Sequence, residues 1–181
     1  RLAVQAIGGF LLSWWYVRKL YSKSSATKVR ALAGLRRSKS PEAVRSICSC
    51  VERLSRWDSG SEEVVQAAGE TLRHMALRGS RPVLAVMIDE LQSRRRRSDS
   101  TWYCMRSGLQ SALEGLATSE PEQLLCFIGP GFRSNRIALE MLLVASSCEK
   151  IGRQLLAFFG GASTSERPLA LQCLANNHVV G

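Results

Sequence analysis

The chain has 181 residues and a mass of 20.0 kDa, the length of one ordinary domain or of a short array of helical repeats. Hydrophobic residues make up 45% of it, and 25 Lys and Arg face 15 Asp and Glu for a formal net charge of +10. That apolar content supports a packed core and excludes a disordered polyelectrolyte, while six cysteines without small-secreted-domain spacing exclude a disulfide-stapled miniprotein.

The chain opens on Arg1 rather than Met, so it reads as processed or truncated, with any targeting peptide already removed. Residues 2–17, LAVQAIGGFLLSWWYV, carry no charge and are bracketed by Arg1 and by Arg18-Lys19. As a helix they would reach roughly 24 Å, against a hydrocarbon core of about 30 Å. Leu20 and Tyr21 extend the stretch, and Arg and Lys side chains snorkel outward from its ends. The expectation is a single transmembrane helix over 1–21, with Trp14, Trp15, Tyr16, Arg18 and Lys19 at the headgroup layer. Gln5, Gly9 and Ser13 recur every four residues, so they share the face on which another membrane helix packs. A buried core helix and the remnant of a signal or transit segment are the competing readings of the same residues.

The cations that follow, Arg18, Lys19, Lys23, Lys28, Arg30, Arg36, Arg37 and Lys39, resist translocation. They place the rest of the chain on the cytoplasmic, matrix or stromal side, close to anionic lipid. A pI near 9.9 also invites nucleic acid. The basic clusters lack interleaved aromatic stacking platforms, so nucleic acid ranks below membrane and protein partners. The Arg94-Arg95-Arg96-Arg97 run sits between two helical patterns, either as a solvated loop or as a basic contact patch for acidic protein or lipid.

Beyond Ser25 helical periodicity alternates with Ser, Pro and Gly. Ser40-Pro41-Glu42 opens a helix that places Val44, Ile47, Val51 and Leu54 on one face. Ser61 with Glu62 and Glu63 opens a second, carrying Val64, Val65, Ala68, Leu72 and Met75 and stopping at Gly79. Ser80-Arg81-Pro82 opens a third, with Val83, Val86, Met87 and Leu91 inward. A fourth runs from Thr101 to Ala117 with Met105, Leu109, Leu113 and Leu116. The opening signal returns at Ser119-Glu120-Pro121-Glu122 and at Ser165-Glu166-Arg167-Pro168. Gly129-Pro130-Gly131 breaks the helical pattern, and Gly160-Gly161 ends a Cys148–Phe159 helix. No hairpin signal interrupts the series, so the fold class is all-α.

One phrase recurs: a small residue, Leu, two free positions, then Leu or Met. It starts at Ala31, Thr71, Ala112, Ala138 and Ala170 and falls in alternate helices. A stacked helix needs Leu at i and i+3 turned inward and a small residue where neighbours approach. Gly79-Ser80-Arg81-Pro82-Val83-Leu84, followed by Ala112-Leu113-Glu114-Gly115-Leu116-Ala117, resembles an armadillo repeat. That family pairs a Gly-x-x-Pro-x-Leu opening with an Ala-Leu-x-Asn-Leu-Ala third helix, and HEAT repeats are its nearest relatives. The resemblance covers roughly residues 25–181. It implies a helical solenoid that acts as an interaction scaffold. The family's peptide-gripping Asn is replaced here by Gly34, His74, Gly115, Met141 and Cys173, so peptide-groove recognition does not carry over.

Chemistry-bearing constellations are scarce. His74 lies on a helix and His178 near the C-terminus, neither with a sequence neighbour that makes a metal site or a nucleophile–base pair. Cys48 and Cys50 stand two apart on a helix and face different ways. Cys104, Cys126, Cys148 and Cys173 lie in apolar surroundings as small hydrophobes. Asp89 and Glu90 balance the arginine run. The expectation is a non-enzymatic chain with no catalytic, metal or cofactor residues. It comprises a transmembrane helix at 1–21, a basic juxtamembrane segment and first helix at 22–40, and armadillo/HEAT-like repeats at 41–181. Its role is that of an accessory subunit of a larger membrane complex, mitochondrial or plastid. Its partners are the other subunits and membrane lipid. The alternative is a soluble adaptor for acidic protein or nucleic-acid partners, in which residues 2–17 cap the first repeat.

Overall fold

The computed structural model describes residues 13–54, 60–78, 80–93, 100–129, 132–143 and 149–176. Every regular element among the described residues is a helix. In chain order they are α1 (described over 13–19), α2 (Ser25–Leu35), α3 (Pro41–Glu52), α4 (Ser61–Leu77), α5 (Arg81–Ser93), α6 (Ser100–Ser119), α7 (Glu122–Leu125), α8 (Asn135–Leu142), α9 (Glu149–Phe159) and α10 (Arg167–Asn176). Among the described residues no helix is long and apolar enough to cross a membrane. The greater part of the expected span, residues 2–12, lies outside the described residues.

Local chemistry sets the helix starts. The Ser24 hydroxyl accepts the Thr27 N–H at 3.3 Å and satisfies one of the orphan donors of α2. Pro41 occupies the first position of α3, where its missing N–H costs nothing. Gly60 precedes α4 with φ 79°, a left-handed turn suited to glycine, and Glu62 and Glu63 then sit favourably in the first turn. The start of α10 differs from expectation. Ser163, not Ser165, is the residue that Glu166 reaches back to, accepting its N–H at 2.9 Å and its hydroxyl at 2.6 Å in a capping-box manner. The signal at Ser119-Glu120-Pro121-Glu122 yields only the four residues of α7.

The chain divides into two compact units, Arg1–Ala112 and Leu113–Gly181. In the first, alternate helices pack on one another, α2 against α4 and α3 against α5, with α3 and α5 also touching α4. Most of the predicted inward positions are buried: Val44, Ile47, Val51 and Leu54 on α3, Val64, Ala68, Leu72 and Met75 on α4, and Val83, Val86, Met87 and Leu91 on α5; Val65 of α4 is only half-buried. α5 buries Leu84, Ile88 and Glu90 as well, so more than one stripe of it is covered. Each fully buried Leu or Met contributes about 1.5–3 kcal/mol over the exposed state. α4 and α6 meet where two glycines face each other, and a Cβ added to Gly108 would stand 3.2 Å from the Gly69 Cα. Gly inside a helix costs about 1 kcal/mol relative to Ala, and here backbone proximity offsets it.

α1 belongs to this first unit. Its Ser13 hydroxyl lies 3.0 Å from that of Ser38, and Leu20 is buried where the chain turns toward α2. The Tyr16 ring lies against Gly34, leaving no room there for a Cβ. α1 and α2 therefore run antiparallel, as a helical hairpin.

In the second unit α10 packs on α8 and α9, and α7 packs on α8 and α9. Ile137, Ala138, Leu139, Met141 and Leu142 of α8 are buried, as are Ile151, Leu155 and Phe158 of α9. In α10 the recurrent phrase is out of phase: Ala170 and Cys173 point inward, and Leu171 is 52% exposed.

The same contact recurs between helices two apart. Side chains of the second helix onward add donors at carbonyls in or just past the last turn of a helix, where intrahelical partners run out; the Leu139 carbonyl also takes the Leu143 N–H at 3.1 Å. Cys50 Sγ of α3 donates to the Leu20 carbonyl just beyond α1 at 3.5 Å. Thr71 Oγ1 of α4 shares its one proton between the Ala67 carbonyl of its own helix at 2.7 Å and the Leu32 carbonyl of α2 at 3.1 Å. Cys173 Sγ of α10 donates to the Leu139 carbonyl of α8 at 3.3 Å, and Asn176 Nδ2 donates to the neighbouring Leu143 carbonyl at 3.1 Å.

Candidate functional site

Polar and exposed apolar chemistry collects in three places. The first is the edge formed by α1 and the turn that follows it. Trp14 is 54% exposed, Trp15 49% and Tyr21 54%. Each has a cation over its ring: Arg18 over Trp14 at 5.6 Å, Lys19 over Trp15 at 5.2 Å and Arg53 over Tyr21 at 4.8 Å. The first two pairs are four residues apart, where helix geometry stacks one side chain over the other. Trp15 and Tyr16 also meet edge to face at 5.1 Å. The sequence that runs through this edge carries charge of one sign. Arg18, Lys19, Lys23, Lys28, Arg30, Arg36, Arg37 and Lys39 precede the first acidic residue of the chain, Glu42. Arg36 is bound to Glu70 at 2.6 Å. Lys23, Arg30, Arg37 and Lys39 are exposed.

The second place is a polar cluster in the second unit. Asn135 is buried at the start of α8. Its side chain accepts the Gly129 N–H and donates to the Gly129 carbonyl and to Glu166 Oε1, each at 2.9 Å. Burial works against the Glu166 carboxylate, but donation from Ser163 Oγ, Ser163 N–H and Asn135 outweighs it and holds the carboxyl below its usual range. Ser134 Oγ donates to the Phe127 carbonyl at 2.7 Å. These bonds tie the loop before α8 to the start of α10.

The third is a half-open cavity of about 370 Å³ between α7 and α9, lined by Leu125, Ile128, Gln154, Leu155 and Phe158 among others. Its walls are mostly apolar, with Gln154 as the polar side chain.

The residues singled out in the sequence are distributed as follows. Trp14, Trp15, Tyr16, Arg18 and Lys19 come together on α1, with Tyr16 turned inward onto Gly34 and the other four outward. Ser13, the last member of the small-residue face, is bonded within its own chain to Ser38. Gln5, Gly9 and Arg94 to Arg97 lie outside the described residues. His74 is exposed on α4. Asp89 is exposed, whereas Glu90 is buried, and that burial, reinforced by Asp89 and opposed by Arg45, raises its carboxyl. Burial raises the Cys50 thiol despite Lys28 and Arg53, and pushes Cys173 up to about 11. Both are protonated at neutral pH and so weak as nucleophiles or metal ligands. Among the described residues no group of three or more His, Cys, Asp or Glu is placed to hold a metal ion.

Sequence reasoning passed over Asn135, the bond from Thr71 to the Leu32 carbonyl and the Gly69–Gly108 contact. The glycines carried a signal, since each sits mid-helix where Ala would be preferred unless backbones approach closely. Asn135 and Thr71 carried none, because their roles depend on groups 31 and 39 residues away. No family model, curated protein or solved structure matches the chain.

Proposed function

We propose that this chain is a non-catalytic helical-repeat scaffold of the armadillo/HEAT type, held at a membrane by its N-terminal segment as an accessory subunit of a larger assembly. The supporting observation is the packing of alternate helices, with the recurrent phrase (small residue, Leu, two free positions, Leu or Met) buried in α2, α4, α6 and α8. Repeats of this kind present extended surfaces that hold partners at fixed spacing. The uncharged stretch of residues 2–17 supports attachment, because it leads into exposed tryptophans with cations stacked on them, a composition suited to the boundary between hydrocarbon and headgroups. The arginine run at 94–97 is then a contact for acidic protein or lipid.

Alkaline carbonate extraction of native membranes, followed by identification of proteins that co-purify after mild solubilisation, tests this function. Retention in the membrane pellet with a defined set of companions is expected. Release of the intact chain by carbonate alone overturns the span.

The bonding of Ser13 to Ser38 and the packing of Tyr16 on Gly34 favour a second reading, in which residues 2–17 form a cap helix of a soluble adaptor. A chain beginning at Ser13 separates the two. The membrane reading expects it to be folded and to be released from membranes by alkaline carbonate. The cap reading expects it to expose apolar surface and aggregate.

A further inference from the structure

We infer that the α1–α2 hairpin is a docking surface for an anionic phospholipid layer, with Trp14, Trp15 and Tyr21 set at headgroup depth and the surrounding cations on lipid phosphates. This deepens the membrane reading above by naming what the attached end recognises. It does not require residues 2–17 to span.

Three observations carry it. Trp14, Trp15 and Tyr21 are all about half exposed, although rings of this size are usually covered in a protein core. Each carries a cation over its face, so the edge offers paired apolar and positive groups, the pairing that a headgroup layer accommodates. The charge is complementary to an anionic surface without exception along this segment, since no Asp or Glu occurs before Glu42. Beyond that point the two signs nearly balance, so the net charge of +10 resides almost entirely at this end.

The neighbouring sequence decides between lipid and the other polyanions. Single-stranded nucleic acid also stacks on aromatics flanked by cations. The residues leading into Trp14, however, are LAVQAIGGFLLS, with no cation to pair with a phosphate backbone and much to gain from an acyl layer. An acidic protein partner has no use for three half-exposed rings spread over a positive edge unless it brings apolar surface of its own.

The test uses the purified full chain with vesicles of phosphatidylcholine alone or with about 30% phosphatidylserine, read by flotation and by tryptophan emission at low and physiological salt. Partition into serine-lipid vesicles is expected to exceed partition into the neutral ones by about a hundredfold and to weaken as salt screens the charges. Neutralising Arg18, Lys19, Lys23, Arg30, Arg37 and Lys39 together to Gln should abolish that preference. W14A/W15A should weaken binding about tenfold with an unchanged melting temperature, because both rings project outward.

Equal partition into the two vesicle types overturns the inference, and so does absence of binding to either. Tighter binding to poly-glutamate or to oligo-dT than to serine-lipid vesicles overturns it in favour of an acidic protein or a nucleic acid. Washing the floated complex with alkaline carbonate reports separately on the span: release with charge-dependent binding intact removes the span and keeps the dock, while retention with equal partition does the reverse.

Discussion

The two units solve the same packing problem with different materials. In residues 1–112 the helices described in full run to 11–17 residues, their apolar faces match the sequence period, and α4 and α6 approach through paired glycines. In residues 113–181 the helices shorten to 4–11 residues, and a buried asparagine joins the loop before α8 to the start of α10. A long amphipathic helix buries enough side chains to fix its own position. A short one needs directional bonds as well, because few contacts oppose its rotation or sliding.

The largest effect expected from breaking this contrast is at the recurrent phrase. Leu72→Ala removes a fully buried side chain of α4 and should cost about 3 kcal/mol in urea unfolding. Leu171→Ala, at the same place in the phrase on α10, should change stability by less than about 0.5 kcal/mol because Leu171 faces solvent. Equal losses at both would mean that α10 keeps the phase of the other helices.

Next comes the polar cluster. Asn135→Ala leaves the Gly129 backbone groups and one Glu166 oxygen without their partner, and should cost about 2 kcal/mol by the same measurement. Asn176→Ala, which removes a single exposed bond to the Leu143 carbonyl, should cost well below that.

The glycine pair should give effects of opposite sign. A Cβ on Gly69 finds its nearest neighbour at 3.8 Å, an ordinary contact, so Gly69→Ala should raise stability by up to about 1 kcal/mol through helix propensity. A Cβ on Gly108 meets the Gly69 Cα at 3.2 Å, and backbone does not yield as a side-chain tip does. Gly108→Ala should therefore lower stability by about 0.5–1 kcal/mol. Thermal melts of the two variants measured side by side decide the point.

The smallest effect is acid dependence. The folded-state pKa of Glu166 lies below its ordinary value of 4.5, so the folded form holds fewer protons there than the unfolded one. Its contribution is fully present above the unfolded value and is lost as pH falls through the folded one. Because the carboxyl is only partly covered, the change should be about 0.5 kcal/mol. Urea midpoints from pH 6 to pH 3 should fall less for Glu166→Gln than for the parent chain.

The sequence revealed the elements better than their partners. Much of the inward faces of α3 and α4 follows from periodicity, because a 3.6-residue repeat with one apolar stripe has one stable orientation against a core, whereas α5 is covered on more than one stripe. The end of α9 was equally plain, at Gly160-Gly161. The length of α7 was not. Ser119-Glu120-Pro121-Glu122 announces a helix start, but the helix ends after one turn at Leu125, ahead of the Gly129 loop that Asn135 fastens. The phase of α10 escaped for a related reason. A phrase of five residues fixes which positions are apolar, whereas the bonds from Cys173 and Asn176 to α8 fix which of them point inward. At the candidate docking edge, Trp14, Trp15, Arg18 and Lys19 stood out as a composition. Their pairing into stacked couples, and the inward turn of Tyr16 onto Gly34, depend on the packing of α1 against α2.

The donors that cover the helix ends have a consequence for how the chain is made. The Leu20 carbonyl is 30 residues ahead of Cys50, Leu32 is 39 ahead of Thr71, and Leu139 is 34 ahead of Cys173. Each of these three donors is synthesised well after the carbonyl it meets, so on the ribosome these particular contacts form only once the second helix onward has emerged.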